Sequence, residues 1–229
     1  MPSATEDVTV APKPKPRLRG VSHEIAFYLA LVAGAVLVFL APTGRRVPAA
    51  IYVATLAAQF GISALYHRPT WAPGPRKRLR RFDHATIFLL IAGSVTPVAW
   101  ILPPGPRHGL LALFWIGAAV GVLRAVFWID APKWLVSVIA AALGWGIAPF
   151  LPALGHALDP LTVWLAIGGG LLYTMGAAAY ALRRPDPWPR VFGYHEIFHA
   201  FTILATLCHY TAIARALGVF ARDAHPMLS

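Results

Sequence analysis

The sequence predicts an all-α integral membrane protein, a bundle of seven transmembrane helices with its N-terminus in the cytosol. Three observations carry this expectation. Of 229 residues, 58% are hydrophobic and only 13% charged, whereas a soluble domain has roughly a quarter of its residues charged. Seven apolar runs follow one another, each near the ~17–25 residues that a spanning helix needs. The 20 Lys and Arg residues fall mostly on one side of the alternation those runs create.

The elements follow in chain order. Met1–Gly20 reads as a disordered basic cytosolic tail, with Pro12, Pro14 and Pro16 interleaved with Lys13, Lys15 and Arg17. It has no apolar core of the kind a signal peptide carries. The membrane domain spans residues 21–220, and residues 221–229 form a short outward tail. Its runs are Ile25–Ala41, Pro48–Tyr66, Ile87–Leu102, Gly109–Ile129, Trp134–Leu154, Leu161–Leu182 and Ile197–Val219. Pro97 sits inside the third run, where it frees a backbone carbonyl and kinks the helix. Gly168, Gly169, Gly170 and Gly176 in the sixth run read as sites of close helix approach.

The net charge of +11 and the mean hydropathy of +0.61 constrain function together. A nucleic-acid-binding domain would be basic but not this apolar, so nucleic acid is excluded as a partner. With seven spans, the N-terminal side carries fourteen basic residues and the opposite side five, with Arg124 inside the fourth run. The positive-inside rule then sets a cytosolic N-terminus and an outward C-terminus in a multi-pass protein of the plasma membrane. Six of the fourteen lie between Arg68 and Arg81, a segment with Trp71 and Pro73-Gly74-Pro75. It reads as an interfacial loop that binds anionic lipid headgroups, or as one that only sets orientation. The single cysteine, Cys208, excludes an intramolecular disulfide and any cysteine-based zinc motif. Nothing in the sequence signals an oligomeric state.

Nine histidines are the main chemical resource. His195 and His199 stand four apart at the start of the seventh run, on one helix face; they are either close enough to share a metal or two interfacial histidines at a helix entrance. The second run ends on the same membrane side in Ser63-Ala-Leu-Tyr-His67, and the third begins there with Asp83-His84. Ionisable residues gathered at one membrane depth mark a functional interior. Three imidazoles without a fourth protein ligand fit a tetrahedral Zn2+ whose open position holds water with a pKa near 7. Asp83 could take a proton from that water; alternatively it caps its helix or pairs with Arg80 or Arg81. Ser63, one turn before His67, could orient the water or a substrate oxygen, or it could be a small packing residue. His23 is either a supporting residue of that site or an interfacial one. His84 is disfavoured as a ligand against its neighbour Asp83. His209 lies roughly 15 Å along the helix from His199, too far to share a metal, and reads as an interhelical hydrogen bonder.

Several stretches carry a resemblance to a known family. They are Gly20-Val-Ser-His23-Glu24, Ser63-Ala-Leu-Tyr-His67, Asp83-His84 with Ile91-Ala-Gly-Ser94-Val-Thr96-Pro97, Tyr173-Thr174-Met-Gly176, and Phe192-Gly-Tyr-His195-Glu196-Ile-Phe-His199. In this order the chain resembles the hemolysin III family, within the progestin and adipoQ receptor superfamily related to alkaline ceramidases. The resemblance implies seven helices, a cytosolic N-terminus and a zinc near the cytosolic face. It implies His67, His195 and His199 as ligands, with Asp83 and Ser63 beside the metal. The reaction expected is zinc-dependent hydrolysis of a lipid amide or ester, ceramidase-like, with the substrate's acyl chains between helices. Two other readings stand beside it. One is a non-catalytic membrane sensor or homeostasis protein in which zinc only ties spans two and seven together. The other is a membrane-perturbing haemolysin, which purified protein that fails to permeabilise vesicles would exclude.

Overall fold

A chain this apolar must satisfy its backbone internally wherever it crosses lipid, and helices do so within a single segment. The computed structural model describes residues 15–220; the outer part of the basic tail and the residues 221–229 lie outside them. Among the described residues there are eight α-helices and no strand. They are α1 (Val21–Leu40), α2 (Arg46–His67), α3 (Pro73–Ala99), α4 (Pro104–Phe127), α5 (Lys133–Trp145), α6 (Leu151–Ala157), α7 (Pro160–Leu182) and α8 (Tyr194–Ala216). Seven segments are long and apolar enough to cross a membrane, with α5 and α6 together making the fifth, Lys133–Ala157.

That fifth span differs from the continuous helix expected over Trp134–Leu154. Helix α5 stops at Trp145, a single 3-10 turn covers Ala148–Phe150, and α6 resumes at Leu151. The cause lies in Gly144, Gly146, Pro149 and Pro152. Pro149 and Pro152 lack the N–H that a continuing helix would need, and each is tolerated near the start of its own turn.

The segment Arg68–Arg81 is also corrected. Only the residues between α2 and α3 are loop; α3 begins at Pro73, so five of the six basic residues lie on its first turns. Pro73 occupies the first helical position, where its missing N–H has no intrahelical partner to lose. Asp83 is therefore well inside α3 and is not its cap, which is Ala72.

Residues Lys15–Gly20, counted from composition with the disordered tail, are tied down. The Arg17 and Leu18 amides donate to the Arg190 and Val191 carbonyls at 3.0 and 3.1 Å. Lys15 Nζ donates to the Arg68 carbonyl at 2.8 Å. Arg19 pairs with the buried carboxylate of Glu196 at the start of α8. The segment thus bridges the basic ends of α2 and α8.

Helix α3 is the most enclosed span. One face packs on α2 and the other on α4, while α8 packs mainly on α7 and also touches α1 and α3. One apolar cluster joins α1, α2 and α8 through Leu37, Tyr52, Leu56, Phe60 and Ile213. A second joins α3 and α4 through Phe88, Val95, Leu110 and Phe114. Two glycines allow close approach: a Cβ on Gly121 would lie 2.2 Å from the Phe88 ring, and one on Gly93 would lie 2.0 Å from Thr55 Oγ1. Leu29, Val32, Phe39, Ile116, Phe127, Trp164 and Leu182 project outward and are exposed, as faces turned to hydrocarbon must be. Because lipid is as apolar as these side chains, contact between helices rests on tight packing rather than on hydrophobic burial.

At the end opposite the basic side, α7 is capped by Asp159. Its carboxylate accepts from the Thr162 amide at 3.2 Å and the Thr162 hydroxyl at 2.5 Å. Arg215 of α8 donates to the same carboxylate at 2.9 Å.

Candidate metal centre

Three imidazoles meet at the basic end of the bundle. His67 is the last residue of α2, and His195 and His199 lie one turn apart on the first two turns of α8. All three are at most 8% exposed. One ligand atom from each lies within 4.8 Å of the others. The Nε2 atoms of His67 and His195 are 3.1 Å apart. Two nitrogens bound tetrahedrally to one zinc at ~2.0–2.1 Å would be separated by about 3.3 Å. The set therefore fits a metal: three imidazole nitrogen donors, converging, shielded from bulk water, with His199 Nδ1 buried and without a partner among the described residues. Nitrogen donors of this kind suit zinc and other late first-row ions. These three residues could hold a metal ion.

The local sequence explains the convergence. Spacing by four puts His195 and His199 on one face of α8. Gly193 ends the preceding loop in extended conformation, and its amide donates to Glu196 Oε2 at 2.9 Å, which fixes the first turn. On α2, Ser63 stands one turn before His67, so both face α8.

Asp83 reaches the cluster from α3. Its Oδ2 is 3.7 Å from His67 Nε2, and its side chain is buried. Neither Arg80 nor Arg81 is its partner: Arg80 donates to Asp130 at 2.9 Å instead. Ser63 is buried, its Oγ lies 2.9 Å from His23 Nδ1, and it lines a small cavity together with Asp83. All five residues singled out from the sequence are thus brought to one place.

His84 and His209 are not members of the cluster. The His84 Nδ1–H donates to the Arg80 carbonyl at 2.8 Å, so that nitrogen serves its own helix. His209 donates from Nε2 to the Ala166 carbonyl of α7 at 3.1 Å, the interhelical bond expected of it. His23 is buried, not interfacial, and belongs to the site.

Two cavities adjoin the centre. A small one of about 60 Å³ is lined by Ser63, Asp83, His84, Tyr180, His195 and His199. A larger apolar one of about 200 Å³ runs between α3, α5, α7 and α8. Gln59, Ile87, Ala140, Ala177 and Phe198 line both, so the two share a wall. Gln59 is buried, and its Oε1 has no partner among the described residues. The sequence reading passed over Gln59, although it stands one turn before Ser63 on the helix face that carries His67.

Seven spans around three buried imidazoles, with a carboxylate and a cavity beside them, define a heptahelical membrane protein with a candidate metal centre. The family is shown by comparison with known proteins. The model of the haemolysin-III related family matches residues 12–210, and the chain belongs to that family. It is similar to Hemolysin-3 of Bacillus cereus, 28% identical over 188 residues, covering 80% of this chain and 83% of the relative. It is also similar to the heptahelical transmembrane protein ADIPOR2 of Oryza sativa subsp. japonica, at 30% identity over 58% of this chain and 65% of the relative. The adiponectin receptor protein of Drosophila melanogaster is 32% identical over 58% of this chain and 34% of its own length.

Proposed function

We propose that this protein is a zinc-dependent hydrolase of a lipid amide or ester, ceramidase-like, working at the cytosolic face of the plasma membrane. The observation that carries the reading is the juxtaposition of three chemistries. His195, His199 and the Asp83 carboxylate line a small cavity, His67 converges on the same two imidazoles, and that cavity shares a wall with a larger apolar one.

His67, His195 and His199 would hold the ion. A bound Zn2+ supplies Lewis acidity toward a carbonyl and makes water far more acidic near neutral pH. Asp83 accepts the proton of the attacking water as its oxygen bonds to the carbonyl carbon. It returns that proton to the leaving amine or alcohol as the C–N or C–O bond breaks. Ser63, which lines the same cavity, is placed to orient the attacking water or a substrate oxygen. The apolar cavity takes an acyl chain, and the enclosing helices keep bulk water out of the reaction. The basic first turns of α3 contact anionic headgroups and hold the protein at the lipid surface.

The test combines metal loading with turnover. Zinc-loaded protein is expected to hydrolyse at least one member of a panel of lipid amides and esters, and Asp83→Asn to abolish this while keeping the metal. Zinc-loaded protein inert across the whole panel would refute the enzymatic reading. The receptor named among the relatives favours a second reading, in which the ion only clamps α2 to α8. Under it, Asp83→Asn leaves cellular function intact, whereas His67→Ala or His199→Ala abolishes it.

A further inference from the structure

We infer that His23, on the first turn of α1, is a positioning residue of the metal centre, which orients Ser63 through a hydrogen bond and His199 through ring stacking. The inference rests on the metal-site reading above. It concerns a residue that belongs to neither ligand-bearing helix.

His23 is 1% exposed although it lies near the membrane surface in sequence. Its ring stacks on that of His199 with centroids 3.7 Å apart and planes 6° from parallel. Phe60 of α2 meets it edge-on at 5.0 Å and fixes the other side. The ring therefore has one orientation, and His199 cannot turn about its own side chain without breaking the stack. His23 Nδ1 lies 2.9 Å from Ser63 Oγ. Its Nε2 is buried and has no partner among the described residues.

The bond ties the first turn of α1 to α2 whichever of the two atoms donates, and Ser63 lines the small cavity together with Asp83. Partners of this kind around a metal site fix ring orientation and ligand basicity, and their loss costs 10–100-fold in metal affinity or activity.

The placement of α1 makes the contact dependable. Gly20, in the left-handed region at φ +80°, lies against His67: a Cβ there would come within 2.7 Å of His67 Cβ. Arg19 pairs with Glu196, next to His195. Glu24 pairs with Arg68, next to His67, at 2.6 Å. The first turn of α1 is thus pinned beside each ligand-bearing segment.

Two substitutions separate the two roles. His23→Phe keeps a flat ring and loses Nδ1; His23→Gln keeps a side-chain N–H and loses the stack. The probe is Co2+ in the full-length purified protein, followed by its visible ligand-field bands across pH, with zinc affinity measured by chelator competition. His23→Gln is expected to shift the bands and weaken zinc about 10–100-fold. His23→Phe is expected to keep the band positions at neutral pH but move the midpoint of their pH dependence. Ser63→Ala should move that midpoint in the same way, with no further change in the double variant. Variants that fold, bind Co2+ and match the wild type in both readouts would overturn the inference while leaving the metal site standing. Variants that only melt earlier, with unchanged spectra, would reduce His23 to packing and equally overturn it. Wild-type protein that binds no Co2+ would overturn the metal reading itself, and this inference with it.

Discussion

Glycine substitutions along α4 test the packing that holds Asp83 in place. Gly121 is buried against Phe88, itself fully buried in the α3–α4 cluster five residues beyond Asp83. A Cβ on Gly121 would sit 2.2 Å from both Cδ1 and Cγ of that ring. The ring has no room to retreat, so α4 must move off α3 by more than an ångström. Overpacking of this kind costs roughly 1–3 kcal/mol. For a chain of this size that lowers Tm by about 2–12 °C, at about 2–4 °C per kcal/mol. Gly117 differs: its Cβ would meet the tip of Leu143, Cδ1 at 2.4 Å, which can rotate away. Gly109 meets nothing within 4 Å. There Ala is expected to stabilise by about 0.5–1 kcal/mol through helix propensity. Thermal unfolding of the three Ala variants in one detergent should therefore rank Gly109→Ala above wild type and Gly121→Ala lowest. Gly121→Ala should also weaken any metal-linked signal that depends on Asp83. If Gly121→Ala melts with Gly109→Ala, the α3–α4 packing derived above is wrong.

Other perturbations have equally definite outcomes. Arg19→Ala leaves the 2%-exposed Glu196 with only the Gly193 amide as partner. Breaking a buried pair costs about 3–5 kcal/mol, less here because Arg19 is partly solvated. A loss of about 2–3 kcal/mol by thermal unfolding is expected, with partial recovery in Arg19→Ala/Glu196→Gln; a neutral single variant would refute the pairing. Gln59→Leu removes a carboxamide whose Oε1 is buried and unpartnered. It should stabilise the lipid-free protein by about 1 kcal/mol and weaken binding of a hydrogen-bonding amphiphile relative to a plain alkane. A destabilised variant with unchanged binding would remove Gln59 from the site. At the opposite face, hydrogen bonds from Thr162 and Arg215 hold the Asp159 carboxyl down at about 2. The unfolded value is about 3.9, so its contribution is complete above pH 4 and lost as pH falls toward 2. Asp159→Asn should flatten the stability–pH curve in that window only, and an unchanged acid slope would contradict this.

The spans were legible because apolar length and charge sidedness are physical requirements of a bilayer, readable without any tertiary contact. The break at Gly146–Phe150 was legible in principle, since two prolines and two glycines within nine residues oppose a continuous helix. Hydropathy averaged over the run concealed it. Arg68–Arg81 shows the reverse error. Proline and charge suggested a loop, but Pro73 opens α3 and the arginines extend it beyond the apolar stretch. At the site, the four-residue spacing and the topology together brought His67, Asp83, His195 and His199 to one level, and Ser63 followed from helical periodicity. His23 could not be assigned, because its surroundings are set by a stack on His199, 176 positions away in sequence. Gln59 escaped because a lone amide in an apolar run has no periodic signature; only the cavities on either side of it give it meaning.

The most direct measurement is the metal content of purified protein, wild type against His67→Ala, His195→Ala and His199→Ala, with helicity checked in each. One zinc per chain is expected in the wild type, and loss of that zinc with retained helicity in every variant. A wild type without stoichiometric metal after zinc supply, or a histidine variant that keeps it, would contradict the centre built from α2 and α8.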